Sequence, residues 1–457
     1  MQAAPPPGPP APDWVAPAAS GPVRARLRPP GSKSVTNRAL VLAALGRGST
    51  TITGPLRARD TELMAAALRA LGASVDEVPG DEAAGEGGPG GQGGAWMVTP
   101  GQPAARAAVD VGNAGTVLRF VPPAAALTRA EVEFRGDERA SNRPVAPLLA
   151  ALRELGAVID DGGRGAVPFI VRGRGAMGGG AVSLDASGSS QLVSGLLLAA
   201  PRYDKGVEVS HRGPRVPSAP HIAMTVQMLR DAGAHVEAWS TGTESAVPDR
   251  WRVHPGELWP RALLVEPDLS NAAPFLAAAL VTGGSVTITD WPARTLQPAG
   301  QILDVLTQMG ADCSHSTAGM RVSGSGAVRG ITARLGDVSE IVPVLAALAA
   351  VADSPSVFTG IGHMRTHETD RLAALAAELG ALGGDVAERE DGLVIRPRPL
   401  RASGGAFATY NDHRLVMAAA VLGLALPGGL RVGNAATVGK TFPGFTRMWA
   451  GMLERSP

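Results

Sequence analysis

The strongest constraint on the fold is that the chain repeats itself. One pattern is an apolar helix that ends in Leu-Gly-Ala or a close variant, followed by a short strand. It occurs at residues 68–75, 152–159, 229–236 and 306–311, with a looser copy at 375–386. Glycine at each helix end suits the left-handed conformation that closes many helices. Such repetition predicts several copies of one supersecondary unit packed side by side.

A second pattern alternates with the first: a polar loop, a helix rich in Ala and Leu, a Gly turn and a β-branched strand. Its copies begin near Gly31, Asp110, Asp185, Asp268, Asp337 and Asn411, which lie 69 to 83 residues apart. We therefore predict an α/β protein built from six βαβαββ units. The alternative is that any chain this rich in Ala and Leu contains similar phrases by chance.

The polar loops share a chemical property, because each one opens a helix. The first N–H groups of a helix lack partners within it and form the positive end of its dipole. Several helix starts that face one space would form an anion-binding cavity. The alternative for each loop is ordinary capping by Ser, Asn or Asp.

Charge and composition exclude several classes of protein. The net charge is +1, from 42 basic and 41 acidic residues, and only 4% of residues are aromatic, unlike a typical nucleic-acid binder. The single cysteine, Cys313, excludes an internal disulfide and a cysteine-rich metal site, and it fits a reducing cytoplasm. No uncharged apolar run reaches the ~18 residues of a membrane span. Residues 1–20, rich in Pro and Ala, are predicted to be a disordered tail.

Lysine is rare, and its positions are informative. Only Lys33, Lys205 and Lys440 occur among the 42 basic residues. Lys205 lies in a simple turn, whereas the other two lie in unusual polar loops. A compact ammonium there would do what a planar guanidinium cannot.

The segments GSKSVTNRAL, GNAGTVLRF, SSQ, HETDRL, YNDHR and GKTFP occur in this order between residues 31 and 444. Together they resemble the signature segments of the EPSP synthase family, and Lys33 and Lys440 both fall inside them. The resemblance implies an α/β fold (α+β in some schemes), a two-domain inside-out α/β barrel with three βαβαββ units per domain. It implies that residues 32–262 form one domain and that residues 21–31 with 263–457 form the other. The active site would lie in the cleft between them.

The resemblance also implies a reaction. The 5-hydroxyl of shikimate 3-phosphate attacks C2 of phosphoenolpyruvate while C3 takes a proton, and the tetrahedral intermediate then loses phosphate. The catalytic residues implied are Glu340 as proton acceptor, Glu368 as candidate acid, Lys33 and His413. Residues implied to bind shikimate 3-phosphate are Lys33, Ser34, Arg38, Ser189, Ser190, Gln191, Ser218, Glu340, His363 and His367. Those implied to bind phosphoenolpyruvate are Lys33, Gly115, Arg143, Gln191, Arg371, Arg414 and Lys440, with Arg119 a weaker candidate nearby.

The family further implies no cofactor and no metal. Its partners are the two small-molecule substrates, with no nucleic acid and no membrane, and we expect a cytoplasmic monomer that is a target of glyphosate. Two alternatives remain open at this point. One is the related transferase that acts on UDP-N-acetylglucosamine, which typically uses a loop cysteine, whereas Cys313 follows a helix end. The other is a non-catalytic anion- or RNA-binding protein on a related fold.

Three positions depart from the pattern of many relatives: Glu340 stands for Asp, His367 for Lys and His363 for Asn. Histidine changes charge near neutrality, so we expect activity to depend on pH in that range. Seven cations would also gather in the cleft. Like charges about 4 Å apart at an effective dielectric of 20 repel by about 4 kcal/mol, so we expect the empty cleft to open.

Overall fold

The computed structural model of the protein describes residues 13–79, 94–242, 247–402 and 404–454. The strands are β1 (Trp14–Ala16), β2 (Arg24–Leu27), β3 (Thr50–Thr53), β4 (Ser74–Pro79), β5 (Gly94–Thr99), β6 (Arg106–Asp110), β7 (Glu131–Arg135), β8 (Val158–Asp160), β9 (Phe169–Arg172), β10 (Gly180–Leu184), β11 (Val207–His211), β12 (Val236–Trp239), β13 (Arg250–Val253), β14 (Leu263–Leu264), β15 (Ser285–Ile288), β16 (Asp312–Ser316), β17 (Gly319–Ser323), β18 (Thr332–Arg334), β19 (Ser356–Thr359), β20 (Asp385–Arg389), β21 (Gly392–Arg396) and β22 (Leu430–Val432).

The α-helices are α1 (Lys33–Leu45), α2 (Arg59–Ala70), α3 (Gly115–Ala125), α4 (Ala146–Glu154), α5 (Gln191–Ala199), α6 (Ala219–Asp231), α7 (Leu269–Thr282), α8 (Ala299–Gln308), α9 (Val342–Ala350), α10 (Arg371–Ala381), α11 (His413–Ala425) and α12 (Phe445–Glu454). Short 3-10 helices span Glu138–Asn142, Ala200–Arg202, Gly336–Ile341, Gly362–Thr366 and Ala435–Lys440.

The repeated helix ending has the backbone that its sequence predicts. The glycines of the five copies have φ between 91° and 109°, a region that residues with a Cβ rarely occupy. They are Gly72, Gly156, Gly233, Gly310 and Gly383. Each glycine therefore turns the chain from a helix into the strand that follows it.

The strands form five four-stranded sheets and one two-stranded sheet among the described residues. Each four-stranded sheet has one parallel pair and two antiparallel pairs, as in the order β6-β7-β9-β8. Three pairs join strands that are distant in sequence: β1 with β22, β2 with β15, and β14 with β3. The predicted α/β fold of repeated units is confirmed.

Buried apolar side chains form two separate cores. One gathers residues between Val35 and Val265 around α1, α3 and α5. The other gathers Ala16, Val23 and residues between Leu269 and Met452 around α7, α9 and α11. These inner helices are apolar nearly all round, which is why they lie inside their units rather than at the surface.

Three predictions about chain boundaries need correction. The sheet of the sixth unit has two strands among the described residues, β22 and β1, instead of four. The predicted disordered tail 1–20 is wrong for residues 14–16, since Trp14 packs against Phe445 and Ala16 is fully buried. Residues 1–12 lie outside the described part. Strand β14 belongs to the sheet of β3, although the predicted boundary at residue 262 assigns it to the other domain.

Within the described ranges, no helix combines the length and the hydropathy that crossing a bilayer requires.

Candidate active site

Helices of both cores begin at one cleft. The side chains at or next to these helix starts are Lys33 of α1, Gly115 of α3, Gln191 of α5 and Glu340 before α9 in the cleft, Ser218 before α6 and Ser270 of α7 in a small neighbouring cavity, and the buried Arg371 of α10 and His413 of α11. The positive dipole ends of these helices favour anions in the space between them. The predicted convergence of helix starts is therefore present.

The cavity in the cleft is lined from both sides. The lining residues are Lys33, Gly115, Thr116, Arg119, Arg143, Gly188, Ser189 and Gln191 from one core and Glu340, Thr366, His367 and Glu368 from the other. Eight of the predicted site residues are in this set. Lys440 reaches the same place from an adjoining cavity that also contains Glu368.

Glu368 is the anion that most cations of the cleft share. Its Oε2 accepts a hydrogen bond from Arg371 at 2.9 Å, its Oε1 accepts one from Lys440 at 3.2 Å, and Arg143 lies 3.7 Å away. Burial raises the pKa of this carboxyl, but Lys440, Arg143 and Arg371 outweigh burial and hold the pKa well below its usual range. Glu368 is therefore ionised near neutral pH.

Glu340 has a similar environment but faces more open space, with 28% of its side chain exposed. Its Oε2 accepts a hydrogen bond from Arg414 at 3.2 Å and lies 3.6 Å from Arg371. Burial raises the pKa of Glu340, yet Arg371 and Arg414 hold it well below the ordinary value. The carboxylate is ionised and is able to accept a proton.

Arg371 is fully buried and is held by Asp412, the N-cap residue of α11. The guanidinium donates to the two carboxylate oxygens of Asp412 at 2.7 and 3.2 Å. Its Nη1 also donates to Nδ1 of His367 at 3.0 Å. Because arginine only donates, the ring proton of His367 is on Nε2.

The expected repulsion among unpaired cations is wrong for those that have a carboxylate beside them. Glu340, Glu368 and Asp412 surround the guanidinium of Arg371. Repulsion remains at Arg119, because burial and the nearby Arg143 hold its pKa well below the usual range. Asp60 lies 3.4 Å from the ammonium of Lys33 and 4.0 Å from that of Lys440. The sequence reading missed the role of Asp60 and Asp412. Asp412 lies in a signature segment and Asp60 at the start of a repeated helix, which are the only signals that point to them.

Arg143 and Arg119 flank Gly115 at the other wall. Arg143 donates to the carbonyl of Asn113 at 2.7 Å, and Arg119 donates to Oε1 of Gln191 at 3.0 Å. A Cβ on Gly115 would lie 2.7 Å from a terminal nitrogen of each guanidinium. Glycine is therefore what allows both arginines to close over the start of α3.

Several predicted ligands do not line the cleft. Arg38 is buried, and it donates to Thr225 at 2.7 Å and to the carbonyls of Ser34 and His221, each at 3.0 Å. Burial lowers the pKa of Arg38 to about 9. Ser190 is also buried, at the N-cap of α5. Ser218 lines a small neighbouring cavity, where its hydroxyl lies 3.2 Å from that of Ser339.

The cleft histidines are uncharged near neutrality. Burial, with the nearby cations, lowers the pKa of His363 to about 4 and that of His367 and His413 well below the usual value. Neither ring nitrogen of His413 has a hydrogen-bond partner. The expected titration of His363 and His367 near neutrality is therefore wrong.

The same shifts predict how stability depends on pH. Four histidines have lowered pKa values, the fourth being His221 at about 4. Unfolded histidine binds a proton below pH ~6.5. The contribution of these histidines to the free energy of unfolding is therefore fully present above pH 6.5. It is lost as the pH falls toward 4, by up to about 1.4 kcal/mol per pH unit for each histidine.

Thermal unfolding between pH 7.5 and 5 checks this expectation. The midpoint temperature of unfolding should decrease as the pH is lowered below 6.5, and His363→Gln should make this decrease shallower. The matched control is His315→Gln, on an exposed strand position, which should leave the slope unchanged. A midpoint that stays level across the range would contradict the assignment of neutral buried histidines.

Cys313 lies away from the cleft. It is in β16, packs against the core of residues 269–452 and has its Sγ 3.6 Å from the hydroxyl of Thr307. Burial raises the pKa of its thiol. The thiol is therefore protonated near neutral pH, and its packing against the core indicates a structural role.

Comparison with known proteins gives one consistent family. The profile of the EPSP synthase (3-phosphoshikimate 1-carboxyvinyltransferase) family matches residues 17–449. The chain is 49% identical to a 3-phosphoshikimate 1-carboxyvinyltransferase of Mycobacterium ulcerans over 451 residues, 97% of this chain and 98% of that protein. An EPSP synthase structure from Acinetobacter baumannii has a TM-score of 0.75 at 25% identity, covering 97% of each chain. The enolpyruvyl transferase NikO from Streptomyces tendae has the same fold, with a TM-score of 0.71 at 17% identity over 95% of this chain and 96% of that one.

Proposed function

Because the chain belongs to the EPSP synthase family, we propose that its cleft moves the 1-carboxyvinyl group of phosphoenolpyruvate to the 5-hydroxyl of shikimate 3-phosphate. The products are 5-enolpyruvylshikimate 3-phosphate and phosphate. One observation carries the proposal: Lys33, Arg143 and Lys440 meet the carboxylates Glu340 and Glu368 at helix starts from both cores. Substrates with two phosphates and two carboxylates require such a concentration of positive charge.

Glu340 is the proton acceptor in this proposal. It is ionised, it faces the cavity, and its position is held by Arg414 and Arg371. As the 5-hydroxyl attacks C2, the hydroxyl proton passes to this carboxylate. Lys33, at the start of α1, stabilises the negative charge that develops on the reacting oxygens.

Glu368 is the proton donor to C3, and substrate binding prepares it. Lys440, Arg143 and Arg371 hold the pKa of Glu368 well below its usual range. When the phosphate and carboxylate groups of the substrates pair with these cations, the cations no longer lower the pKa of Glu368. Burial still raises that pKa. Glu368 therefore gains affinity for a proton when the anions arrive.

The remaining roles follow from position. Ser189, Gln191, Ser218 and the Nε2–H of His367 offer hydrogen bonds to shikimate 3-phosphate, with His363 beside them. Ser34, Ser190 and Arg38 support that wall from behind. We further propose that the two cores are two domains and that the protein is a cytoplasmic monomer.

Phosphate release with both substrates tests the function. Wild-type protein should release one phosphate per turnover with shikimate 3-phosphate and none with UDP-N-acetylglucosamine as acceptor. The position of Cys313 away from the cleft favours this outcome over the related transferase. Binding of both substrates without phosphate release would identify a non-catalytic anion binder instead.

Gly115→Ala should weaken phosphoenolpyruvate binding. The added methyl would lie 2.7 Å from nitrogens of both Arg119 and Arg143, so one guanidinium must move. A displacement of about 1 Å at a positioning group costs up to about 100-fold, and we expect KM for phosphoenolpyruvate to rise 10- to 100-fold. The measurement is steady-state kinetics with each substrate varied in turn.

The matched control is Gly188→Ala in the same cavity. Its Cβ would meet only Pro144, at 3.5 Å, an ordinary contact. KM for phosphoenolpyruvate should stay within about twofold of wild type, which corresponds to a change in binding free energy of well under ~1 kcal/mol. Equal effects of the two substitutions would show that crowding of the arginines is not the cause.

A further inference from the structure

Three metal-ligating side chains lie together on the sheet of β10 to β13, outside the cleft. His235 directly precedes β12, Glu237 is the second residue of β12, and His254 directly follows β13. Their ligand atoms all lie within 4.8 Å of one another, and this is the one such group that the described ranges contain. We propose that these three side chains bind a divalent transition-metal ion such as Zn²⁺.

Strand geometry brings the three ligands to one face. His235 and Glu237 are two residues apart, so their side chains point to the same side of the strand. Val236 pairs with Val253 in the antiparallel register, which places His235 opposite His254. The hydrogen bond from the His254 N–H to the His235 carbonyl, at 3.0 Å, continues that register by one residue.

The side chains are already in contact. Nε2 of His254 lies 2.7 Å from Oε1 of Glu237, and the rings of His235 and His254 stack with centroids 4.2 Å apart at 9°. A hydrogen bond between one histidine and one glutamate is common at a protein surface. The second imidazole, directly beside this pair, completes a set of two nitrogens and one carboxylate.

This ligand set selects the kind of ion. Two imidazoles and one carboxylate form a typical zinc environment with an open position for water, whereas Mg²⁺ and Ca²⁺ prefer oxygen ligands. Zn²⁺ bonds of about 2.0–2.2 Å separate tetrahedral ligands by about 3.3 Å. The ion would therefore replace the hydrogen bond between His254 and Glu237, and the proton of that bond would leave to solvent.

One nearby charge competes with the ion. Arg252 is opposite Glu237 in the register of β12 with β13 and opposite Glu208 in the register of β11 with β13. Glu208 is itself paired with Arg250, at 4.0 Å. The positive charge of Arg252 therefore opposes that of an ion beside Glu237.

The site is distant from the proposed chemistry. Ser218, in the small cavity beside the cleft, precedes α6, whereas His235 lies beyond the other end of that helix. A helix of 13 residues spans about 20 Å at a rise of 1.5 Å per residue. The ion would thus join β12 to the segment after β13 and stabilise the folded state, with no direct effect on catalysis.

Zinc titration of the full chain tests the proposal. Isothermal titration with ZnCl₂ should show one equivalent bound at this site, and MgCl₂ should show none. His254→Ala and Glu237→Gln should each weaken Zn²⁺ binding by about 100-fold. Visible absorption of the Co²⁺-loaded protein should show a four-coordinate spectrum that both variants lose. At a hundredfold excess over Kd, Zn²⁺ should raise the thermal midpoint by about 3 °C.

His315→Ala is the matched control, because it removes an exposed strand histidine outside the cluster. It should bind Zn²⁺ like wild type, and all variants should keep the wild-type rate of phosphate release. Zn²⁺ binding that persists unchanged in His254→Ala places the ion elsewhere and overturns the proposal. Wild-type protein that binds no Zn²⁺ overturns it as well.

Discussion

Glu340→Gln should lower the rate of phosphate release by a factor of about 10² to 10⁴, the usual contribution of one general base. The carboxamide has nearly the same size, and it still accepts a hydrogen bond from Arg414, which lies 3.2 Å from the native carboxylate. It no longer takes up a proton at the moment of attack. The effect should therefore fall on kcat, with KM for each substrate changing much less.

Asp337→Asn is the control for this experiment. Asp337 lies three residues away and forms an ion pair with Arg215 at 2.7 Å across the cleft rim. Its loss removes one negative charge from the same region without removing a group that faces the substrates in the proposed arrangement. A Glu340→Gln enzyme with wild-type kcat would show that another group, such as Lys33, accepts the proton.

Arg371→Gln should lower the free energy of unfolding by about 3–5 kcal/mol, because it leaves the buried carboxylate of Asp412 without its cation. Arg371 and Asp412 are both fully buried and form two hydrogen bonds, at 2.7 and 3.2 Å. Arg371 also contacts Glu368 and Glu340, so three carboxylates lose a partner at once. Urea denaturation monitored by tryptophan fluorescence measures the loss.

Two further variants separate stability from activity. The double variant Arg371→Leu, Asp412→Leu removes both charges and should recover part of the stability but no activity, because Glu340 and Glu368 still lack Arg371 and α11 lacks its N-cap. Arg215→Gln breaks the exposed pair with Asp337 and should cost no more than about 1 kcal/mol. If the urea midpoint of unfolding of Arg371→Gln equals that of wild type, the buried pair is not required for stability.

The repeated units and the convergence of helix starts were accessible from the sequence because both depend on local patterns. A glycine at the helix end in each copy predicts the positive φ found at positions such as Gly72 and Gly310. The charges inside the cleft were not accessible in the same way. Asp60 is 27 residues from Lys33, and Asp412 is 41 residues from Arg371. Only the folded chain shows that these carboxylates lie between the cations.

The histidines illustrate the same limit. From the sequence alone, His367 is expected to have the ordinary pKa of an imidazole and to change charge near neutral pH. In the fold it is buried beside Arg371, and both burial and the guanidinium lower its pKa. Similarly, Trp14 looks like part of a disordered tail until Phe445, far along the chain, provides a surface for it. Energies that depend on distant neighbours are not encoded in any short segment.

The pairing of β2 with β15 has a consequence for biosynthesis. Arg24 of β2 lies beside Ser285 of β15, so the first strand of this sheet is made 261 residues before its partner. At about 5–20 residues per second, a ribosome needs on the order of 10–50 s to supply β15. Meanwhile the segment from Val35 to Val265 is able to pack its own core. Strands β1 and β2 therefore lack their hydrogen-bonding partners until the second half of the chain emerges. We expect a chaperone to bind them during that interval.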